Sequence, residues 1–149
     1  MQYSKDYSSI VSVSFLSATD LTASLAEMLE KRGYSQQESA EIEKSITARE
    51  KMFSTYYTDE VIVPRAETSR KTLCLCAGLL KESFSMGDEN IRIIFLILYS
   101  KEMKSDYLSL LSSLYRALAS KQFKQRLLSS TTEDEAGKQL AKGLHEIEL

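Results

Sequence analysis

Ile91-Arg92-Ile93-Ile94-Phe95-Leu96-Ile97-Leu98-Tyr99 is apolar at every position except Arg92, and it is the most β-prone run in the chain. It has half the length that a membrane-crossing helix needs, which leaves a strand covered on both faces as its natural state. Twelve residues upstream ends a companion, Thr72-Leu73-Cys74-Leu75-Cys76-Ala77-Gly78-Leu79. Leu73, Leu75, Ala77 and Leu79 alternate there with Cys74, Cys76 and Gly78, so both faces of that strand are apolar too. Gly87-Asp88 and Asn90 mark a turn between the two. Two strands buried on both sides require helices above and below, and the rest of the chain supplies them.

Toward the N-terminus, Val11, Val13 and Phe15 alternate with Ser12 and Ser14 as a half-buried strand. Thr19 and Asp20 are N-cap candidates for a helix carrying Leu21, Leu25, Met28 and Leu29, which Gly33 stops. Ser35 and Glu38 form a capping box for a second helix, with Ala40, Ile42 and Ile46, running toward Met52. Val61 to Val63 is a short strand closed by Pro64. From Asp106 the period becomes helical through Leu108, Leu111, Leu114, Tyr115 and Leu118. A shorter helix follows from Phe123 to Leu128, and a third opens on the capping pair Thr132 and Glu135 and carries Leu140 and Leu144. The order β-α-α-β-β-β-α-α-α predicts a three-layer α/β/α domain with a mixed sheet of about four to five strands flanked by helices.

All 149 residues fit one domain, with a core from about residue 10 to 144 and loose tails. Hydrophobic residues make up 43% and charged residues 27%, the balance of a soluble globule. Nineteen basic against 21 acidic side chains leave a net charge of −2, which argues against a nucleic-acid binder. Residues 1–6 carry both charge signs and open no apolar run, so neither a signal peptide nor membrane insertion is expected, and the location is cytoplasmic. Cys74 and Cys76 make neither a disulfide framework nor a metal site and read as buried strand cysteines, with nothing nearby in sequence to lower a thiol pKa. Lys121, Lys124 and Arg126 read as one helical face. No cofactor is implied. The chain has a single histidine, His145, so imidazole chemistry inside a packed site has almost nothing to work with.

Three local patterns resemble one family, the fructose/mannitol-type (type 2) enzyme IIA domains of the bacterial phosphotransferase system. Arg49-Glu50-Lys51-Met52-Phe53-Ser54-Thr55, followed by Val61-Ile62-Val63-Pro64-Arg65-Ala66, resembles the family's active-site stretch. That stretch reads Arg-Glu, Ser-Thr, a glycine-rich loop, a short β run, then Pro-His-Ala. Gly87 to Leu98 is similar to the core strand after an acidic turn, and Asp106-Tyr107-Leu108 is similar to a helix start that reads acidic-x-His-Leu. The closing run Phe123 to Leu140 fits the family's last pair of helices. With a single domain and no sugar-transport segment, the nitrogen-regulatory branch is the one to expect.

The departures carry the functional expectation. By this resemblance the phosphoryl-accepting histidine falls on Arg65 and the supporting histidine on Tyr107. The glycine-rich loop falls on Tyr56-Tyr57-Thr58-Asp59-Glu60, with no glycine left. Imidazole relays a phosphoryl group because a ring nitrogen keeps a free lone pair near neutral pH. A guanidinium stays protonated and is no nucleophile, and a phenol with a pKa of roughly 10 does not cycle a proton at pH 7. The resemblance therefore implies a pseudoenzyme: a regulatory, protein-binding module with no catalytic residue. Arg49, Ser54, Thr55, Arg65 and Tyr107 form its vestigial anion or partner site, and Tyr56 and Tyr57 form a partner surface or close the pocket. Arg49 and Arg65 either grip one anion together or pair locally, Arg49 with Glu50 or Glu60 and Arg65 with Glu67. Partners implied are a transporter, a kinase or another phosphotransferase-type protein. Two alternatives remain: an active phosphocarrier using Ser54, Thr55, Asp59 or Glu60 as acceptor, and a small-anion sensor.

Overall fold

A computed structural model describes residues 7–145. Its centre is the antiparallel pair β4 (Leu73–Met86) and β5 (Glu89–Tyr99), in register from Leu73 opposite Tyr99 through Leu79 opposite Ile93. β1 (Val11–Leu16) runs parallel to β4 on one side. On the other side β2 (Val61–Ile62) and β3 (Arg65–Glu67) both run parallel to β5. The result is a mixed five-stranded sheet in the order β1-β4-β5-β2, with β3 on β5 beyond β2.

Alternation along the two central strands sorts their side chains into two cores. Leu73, Leu75, Ala77, Ile93, Phe95 and Ile97 face α3 (Lys104–Leu118), α4 (Lys121–Leu128) and α5 (Glu133–His145). Cys74, Cys76, Leu80, Ile94, Leu96 and Leu98 face α1 (Leu21–Lys31) and α2 (Gln36–Met52). Each fully buried large apolar side chain stabilises the fold by about 1.5–3 kcal/mol, so the hairpin is the largest single contributor to the core.

Local signals end the helices as their chemistry requires. Asp20 caps α1 by accepting from the Ala23 amide at 2.8 Å. Gly33, at φ +82°, ends α1 with the Tyr34 amide bonded to the Leu29 carbonyl and its own amide to that of Glu30. The Ser35–Glu38 capping box is present in both directions. At α5 the box is half built: Thr132 accepts from the Glu135 amide, but the Glu135 carboxylate turns to the Thr131 amide and hydroxyl.

Four expectations change. The chain after Pro64 continues as the strand β3, which three residues are too few to announce. β4 runs on to Met86 with a register shift between Leu79 and Phe84, so its polar outer half joins the hairpin. Phe15 is 37% exposed while Ser14 and Leu16 are buried, because β1 is an edge strand sandwiched by helices and its alternation does not track one core. Leu108 is exposed and Leu110 buried, since α3 starts at Lys104 after a 3-10 turn (Lys101–Met103) and presents a different stripe. The expectations for residues 1–6 and the last four lie outside the described residues.

Gly143 is where α5 passes the Phe123 ring, which stacks on Phe95 at 6.4 Å between centroids. A Cβ there would stand 2.3 Å from two ring carbons. Alanine normally stabilises a helix interior relative to glycine by about 1 kcal/mol; at this position the sign reverses. Gly143→Ala is expected to destabilise the protein by about 1–3 kcal/mol in urea unfolding, through overpacking.

Candidate functional site

Val61, Ile62 and Val63 are buried, and the chain reaches β3 through Pro64, whose carbonyl accepts from the Ile97 amide at 3.0 Å. A proline fits here because Pro64 lies in the break between β2 and β3, just before the first residue of β3, where the ladder needs no N–H donor. β3 then sets Arg65 opposite Ile97 and under α3. The Arg65 Nη1 donates to the Tyr107 hydroxyl and Nη2 to the Tyr115 hydroxyl, each at 3.4 Å. Tyr107 and Tyr115 lie eight residues apart on α3, about two turns, which puts both phenols on one face. So Arg65 and Tyr107, 42 residues apart in sequence, meet at one place.

The tyrosines extend the contact on both sides. Tyr107 stacks on Tyr99 at 4.0 Å and 8°, and Tyr115 stacks on Tyr57 at 5.4 Å and 25°. Arg65 Nε is buried and has no hydrogen-bond partner. Burial is the largest influence on the guanidinium and opposes its charge; Tyr107 and Tyr115 together outweigh it and hold the pKa above its ordinary value. Tyr99 is raised mainly by burial, while Arg49 and Arg65 both act on it in the opposite sense. Arg49 itself is exposed in the last turn of α2.

The local pairings expected for these arginines are not made. Among the described residues neither Arg49 nor Arg65 has an ion pair. Glu50 instead accepts from the Thr55 amide at 2.9 Å and the Thr55 hydroxyl at 2.7 Å. Ser54 is exposed, and its hydroxyl accepts from the Tyr56 amide at 3.1 Å. Thr55 is 9% exposed, and its carbonyl accepts from Val63.

The loop from Tyr56 to Glu60 keeps a glycine-like path without glycine. Asp59 and Glu60 adopt φ of +51° and +67°, a left-handed conformation that costs a residue with a Cβ about 1–2 kcal/mol. Contacts offset the cost. The Glu60 amide donates to the Tyr56 hydroxyl at 3.1 Å, the Glu60 carbonyl accepts from Arg92 and Ile93, and Lys124 of α4 donates to the Asp59 carbonyl. Tyr56 is thus half-buried and structural in its contacts, while Tyr57 lies 37% exposed at the rim. The most exposed apolar side chains of the segment are Met52 and Phe53, at 74% and 75%.

Sequence reasoning missed Tyr99, Tyr115 and Lys124. The spacing of Tyr107 and Tyr115 on one helix face was the available signal; Lys124 reaches the loop only through the tertiary fold. It also missed the neighbours of the two thiols. Cys74 and Cys76 are 1% and 3% exposed. The Cys76 thiol beside it pulls the Cys74 pKa down against the effect of burial, helped by Arg32 and Tyr34, and Cys76 itself is pushed up. Arg32 and Tyr34 arrive from the end of α1, some 40 residues away in sequence.

His145 stands elsewhere. It lines a groove with Ser8 and Val11 at the β1 edge, whereas Arg65 is at the opposite edge, with β4 and β5 between. Among the described residues no group of histidine, cysteine and carboxylate side chains is arranged to hold a metal ion, and no helix is long and apolar enough to cross a membrane.

Residues 4–143 match the family described as phosphoenolpyruvate-dependent sugar phosphotransferase system, EIIA 2. Among solved structures, the nitrogen regulatory protein IIA-Ntr from Neisseria meningitidis is similar at a TM-score of 0.72 and 20% identity, over 89% of this chain and 97% of that one. IIA mannitol from Escherichia coli is similar at 0.59 and 23%, over 87% and 95%. The complex of enzyme IIAMtl with phosphorylated enzyme IIBMtl from Escherichia coli is similar at 0.61 and 22%, over 88% and 94%. At these identities the likeness is one of fold. No curated protein matches the chain.

A partly buried guanidinium held by phenols, with no carboxylate, contributes little net stability because its desolvation offsets its hydrogen bonds. Arg65→Met is therefore expected to change the unfolding free energy by less than about 1 kcal/mol in either direction. Tyr107→Phe, which keeps the ring stacked but leaves Arg65 short of a partner, is expected to cost about 1 kcal/mol. Urea titration of both variants checks the pair of outcomes.

Proposed function

The chain belongs to the phosphoenolpyruvate-dependent sugar phosphotransferase system EIIA 2 family, and from that membership we propose that it is a non-phosphorylatable member, a regulatory module that binds another protein through the face around Arg65. The observation that carries the reading is the clamp of Arg65 between Tyr107 and Tyr115. By the resemblance in sequence, Arg65 and Tyr107 occupy the positions of the two active-site imidazoles. A protonated guanidinium has no lone pair to attack phosphorus, and neither phenol replaces the missing base near neutral pH. The lone histidine is no substitute, because it belongs to the far edge of the sheet.

What remains is suited to recognition. Arg65, Tyr57 and Tyr115 combine a cation with aromatic rings, the residue types that anchor protein interfaces, and exposed Phe53 and Met52 precede them in the chain. A IIA domain of this fold is seen with phosphorylated IIB in the mannitol system. The same kind of partner is the first to test here: a IIB-type protein, a transporter or a kinase, met in the cytoplasm. Arg49 and Arg65, which have no carboxylate partner among the described residues, suit an anionic group presented by that partner. A small free anion is a variant of the same reading, favoured by the buried Arg65 Nε that lacks an acceptor.

A second reading has one observation in its favour. The Thr55 hydroxyl donates to the Glu50 carboxylate at 2.7 Å, the arrangement of a nucleophile beside a base. The same carboxylate also accepts the Thr55 amide, however, which makes it the cap of a turn, and Thr55 is nearly covered.

Incubation with the general phosphocarrier, its upstream kinase and labelled phosphoenolpyruvate separates the readings. The expected outcome is no stable label on this chain, with a histidine-bearing IIA domain labelled in parallel as the control. Label that appears on the wild type and disappears in Thr55→Val would establish the second reading instead.

A further inference from the structure

β1 stops at Leu16, opposite Leu80, whereas β4 continues to Met86. At that step between the two strands lies an open groove of about 350 Å³. Its walls are apolar: Leu16, Leu79 and Leu80 come from the sheet, Leu128 ends α4, and Phe15 adds a ring that is 37% exposed. None of the residues around Arg65 lines this groove. A volume of this size suits a small molecule and is too short for a chain segment.

The polar part of the groove is built by an irregularity in the central hairpin. Leu79 pairs with Ile93, and the next pair is Phe84 with Ile91, so the residues from Leu80 to Ser83 stand against Arg92 alone. A bulge re-aims the side chains beside it. Here the Arg92 Nε donates to the Leu80 carbonyl at 2.6 Å, which fixes the guanidinium at the groove by one nitrogen and leaves its terminal nitrogens to bond elsewhere. Lys81, exposed on the same bulge, lines the groove as well. Neither cation has a carboxylate partner among the described residues. The remaining lining residues, Ser17 and Ser130, are neutral. Glu133 comes near through the Phe15 amide, but its charge is already met by Lys31 at 3.3 Å.

We propose that this groove binds a small amphipathic carboxylate, its apolar body against Phe15, Leu79, Leu80 and Leu128 and its head group on Lys81 and Arg92. Two cations beside apolar walls, with no acid among the lining residues, are complementary to a ligand that carries one negative charge at the end of a hydrocarbon body. A neutral hydrocarbon would leave both cations unanswered. A compact anion such as phosphate would leave the walls empty. The Leu80 bond makes the guanidinium pre-organised, so little side-chain freedom is lost when the head group arrives.

Titration of the full chain with octanoate up to about 5 mM, followed by amide nitrogen–proton NMR spectra, tests the site in the millimolar range that suits a ligand of this size. Saturating shifts are expected at Leu79, Leu80, Lys81, Arg92 and Leu128. Octanol, which has the same body and no charge, is expected to bind at least about tenfold more weakly, the loss that follows from one charge-assisted hydrogen bond. Lys81→Glu, at an exposed position, is expected to weaken octanoate by a similar factor and to leave octanol unchanged. Arg92→Gln is expected to act in the same way, with its spectrum reporting that the fold is retained. Octanoate that causes no shifts, shifts centred elsewhere, octanol binding as tightly as octanoate, or octanoate affinity unmoved by Lys81→Glu and Arg92→Gln overturns the proposal.

Discussion

Burial of the β4–β5 hairpin on both faces is the constraint from which the rest of the molecule follows. Once Ile93, Phe95 and Ile97 point one way and Ile94, Leu96 and Leu98 the other, two helical layers become obligatory. Each layer then fixes a different part of the surface. α2 carries Arg49 in its last turn, whose charge acts on Tyr99, and α3 brings Tyr107 and Tyr115 over β3. Neither helix brings these side chains together by itself. A strand buried on both sides forces the two helical layers to meet at one end of it.

On the reading proposed above, the chemistry at that end is electrostatic rather than nucleophilic. Arg65 is held by two tyrosine hydroxyls and, among the described residues, by no carboxylate. A cation left in this state among aromatic rings is better suited to meeting an anionic group from outside than to accepting a phosphoryl group. The neighbouring loop agrees with that division. Its left-handed residues Asp59 and Glu60 are secured by Tyr56, Lys124 and the β5 amides, although the loop contains no glycine.

The fold was largely legible because its signals are local and repeated. Alternation in 72–79, the apolar run 91–99, and the caps at Asp20, Gly33 and Ser35 each dictate structure over a few residues. Errors arose where a tertiary neighbour decides: Phe15 exposed on an edge strand, Leu108 on a helix that begins earlier, and a three-residue strand after Pro64. The site was legible in part. Arg65 and Tyr107 were named together through the resemblance, and their 3.4 Å contact joins them in space. Tyr115 and Lys124 could be found only from three-dimensional proximity, as could the cation beside Cys74.

The central claim, that this face recognises a protein without being switched by phosphate, is tested most directly by calorimetry. The titrant is a IIB-type partner whose own phosphoryl acceptor has been removed, with this chain preincubated with or without phosphoenolpyruvate, the upstream kinase and the phosphocarrier. The account predicts the same dissociation constant in both cells, and a weaker one for Arg65→Met. An affinity that shifts when phosphoenolpyruvate is supplied, and returns when the kinase is omitted, would contradict it.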